Sequence, residues 1–399
     1  MKKLLLSGVT MLISINSFAQ GPEVTSWIIN TTAATGYAGI PSNVQQVQYS
    51  TANVYVSCTG IPSYNIGPWP GNPNVASNQN YVFKITRNPQ QNMGTPTAVG
   101  LGHIGLWSNG VSIYNVSDGQ SYLGQGIWNR NAYFWEGSGF DNCLGHPQMQ
   151  GEYHHHVSPK CLYDETDSTH HSPIIGYAFD GFPVYGAYAY TNTNGTGPIK
   201  RMVTSYSVTI ATTRTNGPSV NSTYPAGCYI EDHIYSAGSG DLDARNGRFC
   251  ITPEYPLGTY AYFVSLDASL TPVFPYTFFG TYYGIVQPGN TGPGSGHNVV
   301  TESVTTYSPA GMGEIENEIQ YSVYPNPAKD FIALFLSPSA INNSVVSLVN
   351  SLGQKIFEQD LIQPAVTYYI DLSKIEAGIY FLNVMNGTMS TSEKVFVVK

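Results

Sequence analysis

Residues Asp141 to Asp180 read DNCLGHPQMQGEYHHHVSPKCLYDETDSTHHSPIIGYAFD. Six of the nine histidines and two of the five cysteines of the chain lie in this stretch. Glu152-Tyr-His-His-His-Val157 has the composition of a short strand, and its side chains then alternate between two faces. His154 and His156 point one way, with Cα atoms about 6.6 Å apart. Tyr153 and His155 point the other way. Downstream, Ser172 to Gly186 reads as two apolar strands joined at Asp180-Gly181, a hairpin turn. Strand, turn and Gly/Pro punctuation together predict a mainly β fold.

Two imidazoles on one strand face can converge on one ion. A third ligand is available from His146, or from the His170-His171 pair, of which His171 is the better candidate. Three imidazoles suit a transition metal ion, with copper or zinc ranked first. Ligating histidines need a carboxylate or carbonyl behind the ring to fix its tautomer. Asp180 is the expected partner, as backing group or as ligand, with Glu152 and Asp141 as alternatives. The competing readings are a structural hydrogen-bond network and a solvated histidine tract. Other chemistries find little support: the chain has no GxSxG, no HExxH and no phosphate loop followed by Lys. Glu136, Asp141, Glu152 and Asp180 leave paired-carboxylate glycoside hydrolysis open until distances are known.

An internal match adds weight to the metal reading. Gly151-Glu-Tyr-His-His-His-Val-Ser158 lays over Gly258-Thr-Tyr-Ala-Tyr-Phe-Val-Ser265. Upstream, Asp141-x3-Gly145-His146 lays over Asp243-x3-Gly247-Arg248. A shared scaffold that accepts Arg248, Ala261, Tyr262 and Phe263 does not require histidines, so those in the first copy serve chemistry.

The remaining chain fits the same class. Charged residues make up 10% of the whole sequence, with 41 Gly, 26 Pro and 30 Tyr, which favours short strands and turns over long helices. A net charge of −9 argues against nucleic acid or an anionic membrane as partner. Residues 1–19 read as a signal peptide: Lys2-Lys3, an apolar run, then Ser17-Phe18-Ala19. No later run is long enough to span a membrane. Strands are expected at 44–49, 53–57, 81–86, 259–264 and 274–279. A hairpin is expected over 103–114, with Asn109-Gly110 supplying positive φ, and a short helix within 121–135. Gln287 to Gly296 reads as a Gly/Pro linker within 286–320. Residues 321–399 carry six further strand patterns, suggesting a small β-sandwich. The cysteines are Cys58, Cys143, Cys161, Cys228 and Cys250. The favoured bridges are Cys143–Cys161 and Cys228–Cys250, since each pair flanks one local unit; other pairings and thiolate metal ligation stay open.

The central motifs resemble the YHYH-domain family: Gly145-His146-Pro147, Gly151 to His156, Pro159-x-Cys161, and His171 to Gly186. The family motif is Tyr-His-Tyr-His, and here His155 stands at its second Tyr. The resemblance implies a secreted domain over 20–285 with a suspected metal site and no assigned reaction. Residues 321–399 resemble the type IX secretion sorting domain through Tyr324-Pro-Asn-Pro-Ala328, Val349 to Gln354, Ala377 to Phe381 and the terminal Lys394 to Lys399. That resemblance implies dealings with the type IX machinery, export, removal of the domain, and release or surface attachment. The expected protein is therefore a secreted or surface metal-binding protein, with a metalloenzyme of unassigned reaction as one form of it and an unknown extracellular ligand. The rival is an adhesion or glycan-binding module with structural histidines.

Overall fold

The structure, a computed structural model, describes residues 20–309, 321–336, 344–361, 367–386 and 389–399. The expected leader, 1–19, and residues 310–320 of the expected linker lie outside the described residues. The described chain is mainly β. Its α-helices are two four-residue turns, Pro22–Thr25 and Ala132–Trp135. The second of these, with a 3-10 turn at Tyr122–Gly124, is what stands where a helix was expected within 121–135.

Val44–Tyr49 (β1), Asn53–Cys58 (β2) and Tyr81–Thr86 (β3) form an antiparallel meander. Thr305–Tyr307 returns to pair with β1. Within the stretch read as a Gly/Pro linker, the described residues Asn290, Gly296 and Asn298 are also docked on this sheet. Asn290 is fully buried, and its side-chain amide clasps Lys84: the Lys84 N–H donates to it at 3.0 Å and it donates to the Lys84 carbonyl at 2.5 Å. Gly296 O and the Asn298 N–H bond Val82 on either side. Gly/Pro composition disfavours regular structure but does not prevent docking through amides.

The central sheet has eight strands: His103–Trp107 (β4), Ser112–Tyr114 (β5), His146–Pro147 (β6), Tyr153–His155 (β7), Ile174–Ala178 (β8), Pro183–Tyr185 (β9), Gly247–Cys250 (β10) and Thr259–Phe263 (β11). Their spatial order is β10-β11-β9-β8-β4-β5-β7-β6, which reads as a palindrome of two halves. In each half a hairpin is followed by a parallel strand and then an antiparallel edge strand. The halves meet at β4 and β8, with Gly105 opposite Ala178, Leu106 opposite Tyr177 and Trp107 opposite Gly176. A Cβ on Gly105 would lie 2.7 Å from Tyr177 O, and one on Gly176 would lie 2.5 Å from Leu106 O. The close approach requires glycine on both sides.

The hairpins match in sequence as well: Ile104-Gly105 to Asn109-Gly110 to Tyr114 follows Ile175-Gly176 to Asp180-Gly181 to Tyr185. Asn109 Oδ1 accepts the Val111 N–H at 3.2 Å; Asp180 Oδ1 accepts the Phe182 N–H at 3.2 Å. Gly110 and Gly181 take φ of 80° and 87°, whereas Asn109 is not among the positive-φ residues, so the first turn is a Gly-ended loop rather than one with two positive φ angles.

The outer pairs repeat in detail. Asp141 accepts the N–H groups of Cys143 (2.9 Å) and Gly145 (3.2 Å) and the hydroxyl of Tyr153. Asp243 accepts those of Arg245 (2.8 Å) and Gly247 (3.2 Å) and the hydroxyl of Tyr260. The match noted between 141–158 and 243–265 is therefore a structural duplication, now extended to the hairpins.

Cys143 and Cys161 form a disulfide with an S–S distance of 2.08 Å. Replacing both by serine is expected to lower stability by about 3 kcal/mol, the chain-entropy value for a loop of this size, read by urea unfolding. The expected Cys228–Cys250 bridge is absent, and Cys58, Cys228 and Cys250 are buried thiols. Cys250 ends β10 within the main core, while Cys228 lies 3.8 Å from Arg214 Nη2, beside the buried Arg214–Asp232 pair. The two thiols serve different neighbourhoods. Phe274–Phe279 is likewise not a strand: Phe274 and Tyr276 instead pack with Val116 and Val157 in a small separate cluster.

Within 321–399, a sheet of Tyr321–Tyr324, Phe331–Leu336 and Thr367–Asp371 faces a four-stranded sheet of Ser344–Asn350, Lys355–Leu361, Gly378–Asn386 and Met389–Val397. Every second residue turns inward: Ile332 and Leu334 from one sheet meet Val346, Leu348, Leu382 and Val384 from the other. This is the expected small β-sandwich.

Candidate metal centre

Strand alternation in β7 sets the site. The ladder between β5 and β7 places His154 opposite Ser112 and His155 opposite Ile113, so neighbouring histidines leave the sheet on opposite faces. His154 lies across from His146 on β6. His156, one residue beyond β7, returns to the face of His154. Ligand nitrogens of His146, His154 and His156 all lie within 4.8 Å of one another, and all three side chains are buried.

The tautomers follow from the partners. His154 Nδ1 lies 3.0 Å from the Glu152 carbonyl, and His156 Nδ1 lies 2.5 Å from the Asn115 carbonyl. A carbonyl can only accept, so both Nδ1 atoms carry the proton and donate it. In the neutral rings, both Nε2 atoms are then lone-pair donors. They lie 3.0 Å apart. Two lone pairs at that distance repel unless a proton or a metal cation lies between them. His146 Nε2 is buried with no hydrogen-bond partner. Burial, then the charge of His156, pushes the His146 ring down to about 4. Burial, then the charges of His146 and His156, holds His154 well below the ordinary imidazole value. At neutral pH, these two nitrogens need not shed a proton before ligating.

Glu136, at the end of the turn Ala132–Trp135, completes the arrangement. Its Oε2 lies 3.3 Å from His156 Nε2 and 3.6 Å from His146 Nε2, and is buried without a hydrogen-bond partner. Ligands on one small ion, each at about 2.1 Å, stand about 3.4 Å apart in a tetrahedron. Burial raises the Glu136 carboxyl, but the proximity of His156, with His146 and Arg130, outweighs it and holds the group below its ordinary value. Glu136→Gln is expected to weaken metal binding by about tenfold at unchanged stoichiometry, as read by calorimetric titration. The composition around Glu136 carries no metal-ligand spacing, so only the fold brings it into view.

The other expected site residues lie elsewhere. Asp180 is fully buried in the second half, bonded to Tyr262 Oη (2.7 Å) and the Gly284 N–H (2.8 Å). It is the counterpart of Asn109, a turn residue. The groups behind the rings are instead the carbonyls of Glu152 and Asn115. His171 is buried against Tyr185, Tyr190 and Phe263, also in the second half. His170 pairs with Asp167 at 2.9 Å. His155, on the opposite face as expected, bonds Tyr64 Oη and the Leu144 carbonyl.

The three histidines and Glu136 line a cleft of ≈ 670 Å³, with Tyr114 and Trp135 also on its wall. The space admits a small organic ligand as well as an ion.

Residues 82–277 match the family model described as YHYH protein, and residues 322–399 match that of a secretion system C-terminal sorting domain. No curated protein matches the chain. Among solved structures, PorZ, an essential bacterial surface component of the type-IX secretion system of Porphyromonas gingivalis, aligns at 10% identity over 89% of this chain, with a TM-score of 0.17. This chain spans 59% of that protein's length.

Proposed function

The chain carries a YHYH-family domain followed by a sorting domain that addresses it for export by the type IX secretion machinery, and from this premise we propose that it is an exported protein holding one transition-metal ion through His146, His154 and His156. Among the described residues no helix is long and apolar enough to cross a membrane. After export the protein is released or held at the cell surface, with the segment 321–399 removed.

The observation that carries the metal reading is the 3.0 Å approach of two Nε2 atoms whose tautomers are fixed by carbonyls behind them. His146, His154 and His156 would hold the ion, and three imidazoles suit copper or zinc. Glu136, whose Oε2 lies beside His146 and His156, would supply an oxygen to such an ion. A bound ion would supply Lewis acidity or, for copper, electron transfer. The protein's own contribution is to hold the three imidazoles in place on the wall of a cleft.

Trp135 and Tyr114 on the wall, with Asn72, Asn74, Gln148 and Gln150, support a second reading of the same cleft as a glycan groove. The test is elemental analysis after exhaustive dialysis, run beside a polysaccharide array. One equivalent of copper or zinc per chain supports the metal reading. Sub-stoichiometric metal together with glycan binding would replace it.

A further inference from the structure

The two halves of the central sheet differ in more than the ligands, and the difference marks a second group of residues. His103, Glu152 and Tyr114 in the first half correspond to Ile174, Thr259 and Tyr185 in the second. His103 Nδ1 lies 2.9 Å from Glu152 Oε1, with side-chain exposures of 0% and 1%. The other carboxylate oxygen accepts the Tyr114 hydroxyl at 2.6 Å. The Tyr114 ring lies flat on the His154 imidazole, centroids 3.7 Å apart and planes 22° from parallel. Behind this chain, Tyr81, Phe83 and Phe179 box in the His103 ring.

A buried polar or ionic pair adds little stability over an apolar pair of similar volume. The second half shows that this scaffold folds with Ile174 and Thr259 at the same places. The polar chain is therefore not there for the sheet. Glu152 bears on the ligand in two ways: its carbonyl fixes the His154 tautomer, and its carboxylate, bonded to His103, accepts the hydroxyl of the tyrosine that lies on the ring face.

We propose that His103, Glu152 and Tyr114 are positioning residues for the metal ligand His154, fixing the plane of its imidazole so that Nε2 meets the ion shared with His146 and His156. The inference rests on the metal reading above. Outer groups of this kind are worth tenfold to a hundredfold in affinity.

The experiment compares the wild-type protein with His103→Ile/Glu152→Thr, which installs the residues of the second half, and with Tyr114→Phe, which keeps the ring and drops the bond to Glu152. Copper(II) affinity is measured by competition titration and the ligand field by electron paramagnetic resonance. Tyr185→Phe removes the hydroxyl of the corresponding tyrosine of the second half, which bonds Thr252 and Glu254, and serves as the stability control. The expected result is affinity lowered by about tenfold to a hundredfold and altered copper hyperfine coupling in both variants, with neither change in the control. If the double variant fails to fold, Tyr114→Phe and Glu152→Gln decide. Variants that bind within about threefold of wild type with an unaltered spectrum overturn the proposal, as does an equal loss in the control. A wild-type protein that binds no metal removes the metal reading itself, a result distinct from either of these.

Discussion

A His154→Ala/His156→Ala protein is expected to retain no metal after dialysis where the wild type retains one equivalent. A three- or four-ligand site of this type contributes roughly 10–16 kcal/mol of apparent binding free energy, so two ligands carry about 6–8 kcal/mol. At 1.4 kcal/mol per decade, affinity then falls by at least about 10⁴-fold. The fold should survive, because Ala261 and Phe263 occupy the same two positions in the second half. Ala261 and Phe263 are fully buried there, opposite Arg248 on β10 and Tyr185 on β9 respectively. His154→Ala should cost little stability, and His156→Ala leaves a cavity whose cost His156→Phe avoids. Calorimetric melting of the metal-free proteins separates folding from binding. A folded double variant that still carries a full equivalent of metal would place the ion elsewhere.

The strands and the split of the histidines were legible because both follow from period-two alternation. His154 and His156 share a face and His155 takes the other for a reason internal to five residues. Asp180 was misread because a buried carboxylate near histidines is ambiguous without coordinates. A longer internal comparison would have resolved it: Asn109 stands at the same place in the first hairpin, and an Asn/Asp-Gly pair in both copies signals a turn. Glu136 gave no such signal. It sits ten residues before His146 at the end of one helical turn, and its place depends on how the 132–139 segment folds against β6. Phe274 to Phe279 has strand composition, yet its rings fill a local cluster and its backbone joins no ladder. Cys228 and Cys250 bracket one stretch of chain, but Cys250 packs in the main core and Cys228 beside the Arg214–Asp232 pair. Apart from Asp180, these misses share one cause: they depend on long-range packing that residue type and spacing do not show.

The second large effect is expected at Asp141, which is not a ligand. Its carboxylate accepts hydrogen bonds from the N–H groups of Gly67 (2.8 Å), Cys143 (2.9 Å) and Gly145 (3.2 Å), the indole of Trp69 (3.1 Å) and the hydroxyl of Tyr153 (3.0 Å). The side chain ties the 64–70 loop, the turn before β6 and the outward face of β7 to one point. Tyr153 is fully buried. Asp141→Ala leaves these donors without an acceptor, each costing about 1–3 kcal/mol where water cannot replace the lost oxygen. The expected loss is about 4–6 kcal/mol, at the upper end of single-residue effects, read as a lowered urea midpoint. Asp243→Ala in the second half, where the carboxylate serves Arg245 N, Gly247 N and Tyr260 Oη, should cost less, about 2–3 kcal/mol. The two variants should also separate in function. Gly145 and His146 follow Asp141 directly, and a Cβ at Gly145 would meet Tyr153 Oη at 2.3 Å, so the Asp141–Tyr153 contact sets how closely β6 approaches β7. Loosening it moves His146 away from His154, and metal affinity falls with stability. Asp243→Ala disturbs only the half whose corresponding residues are Arg248 and Ala261, and metal affinity should stay within about threefold of wild type in the surviving folded protein, well short of the tenfold expected for a lost outer group. Equal effects of the two substitutions on binding would mean that the halves are not independent, and that the scaffold rather than the β6–β7 pair positions the ligands.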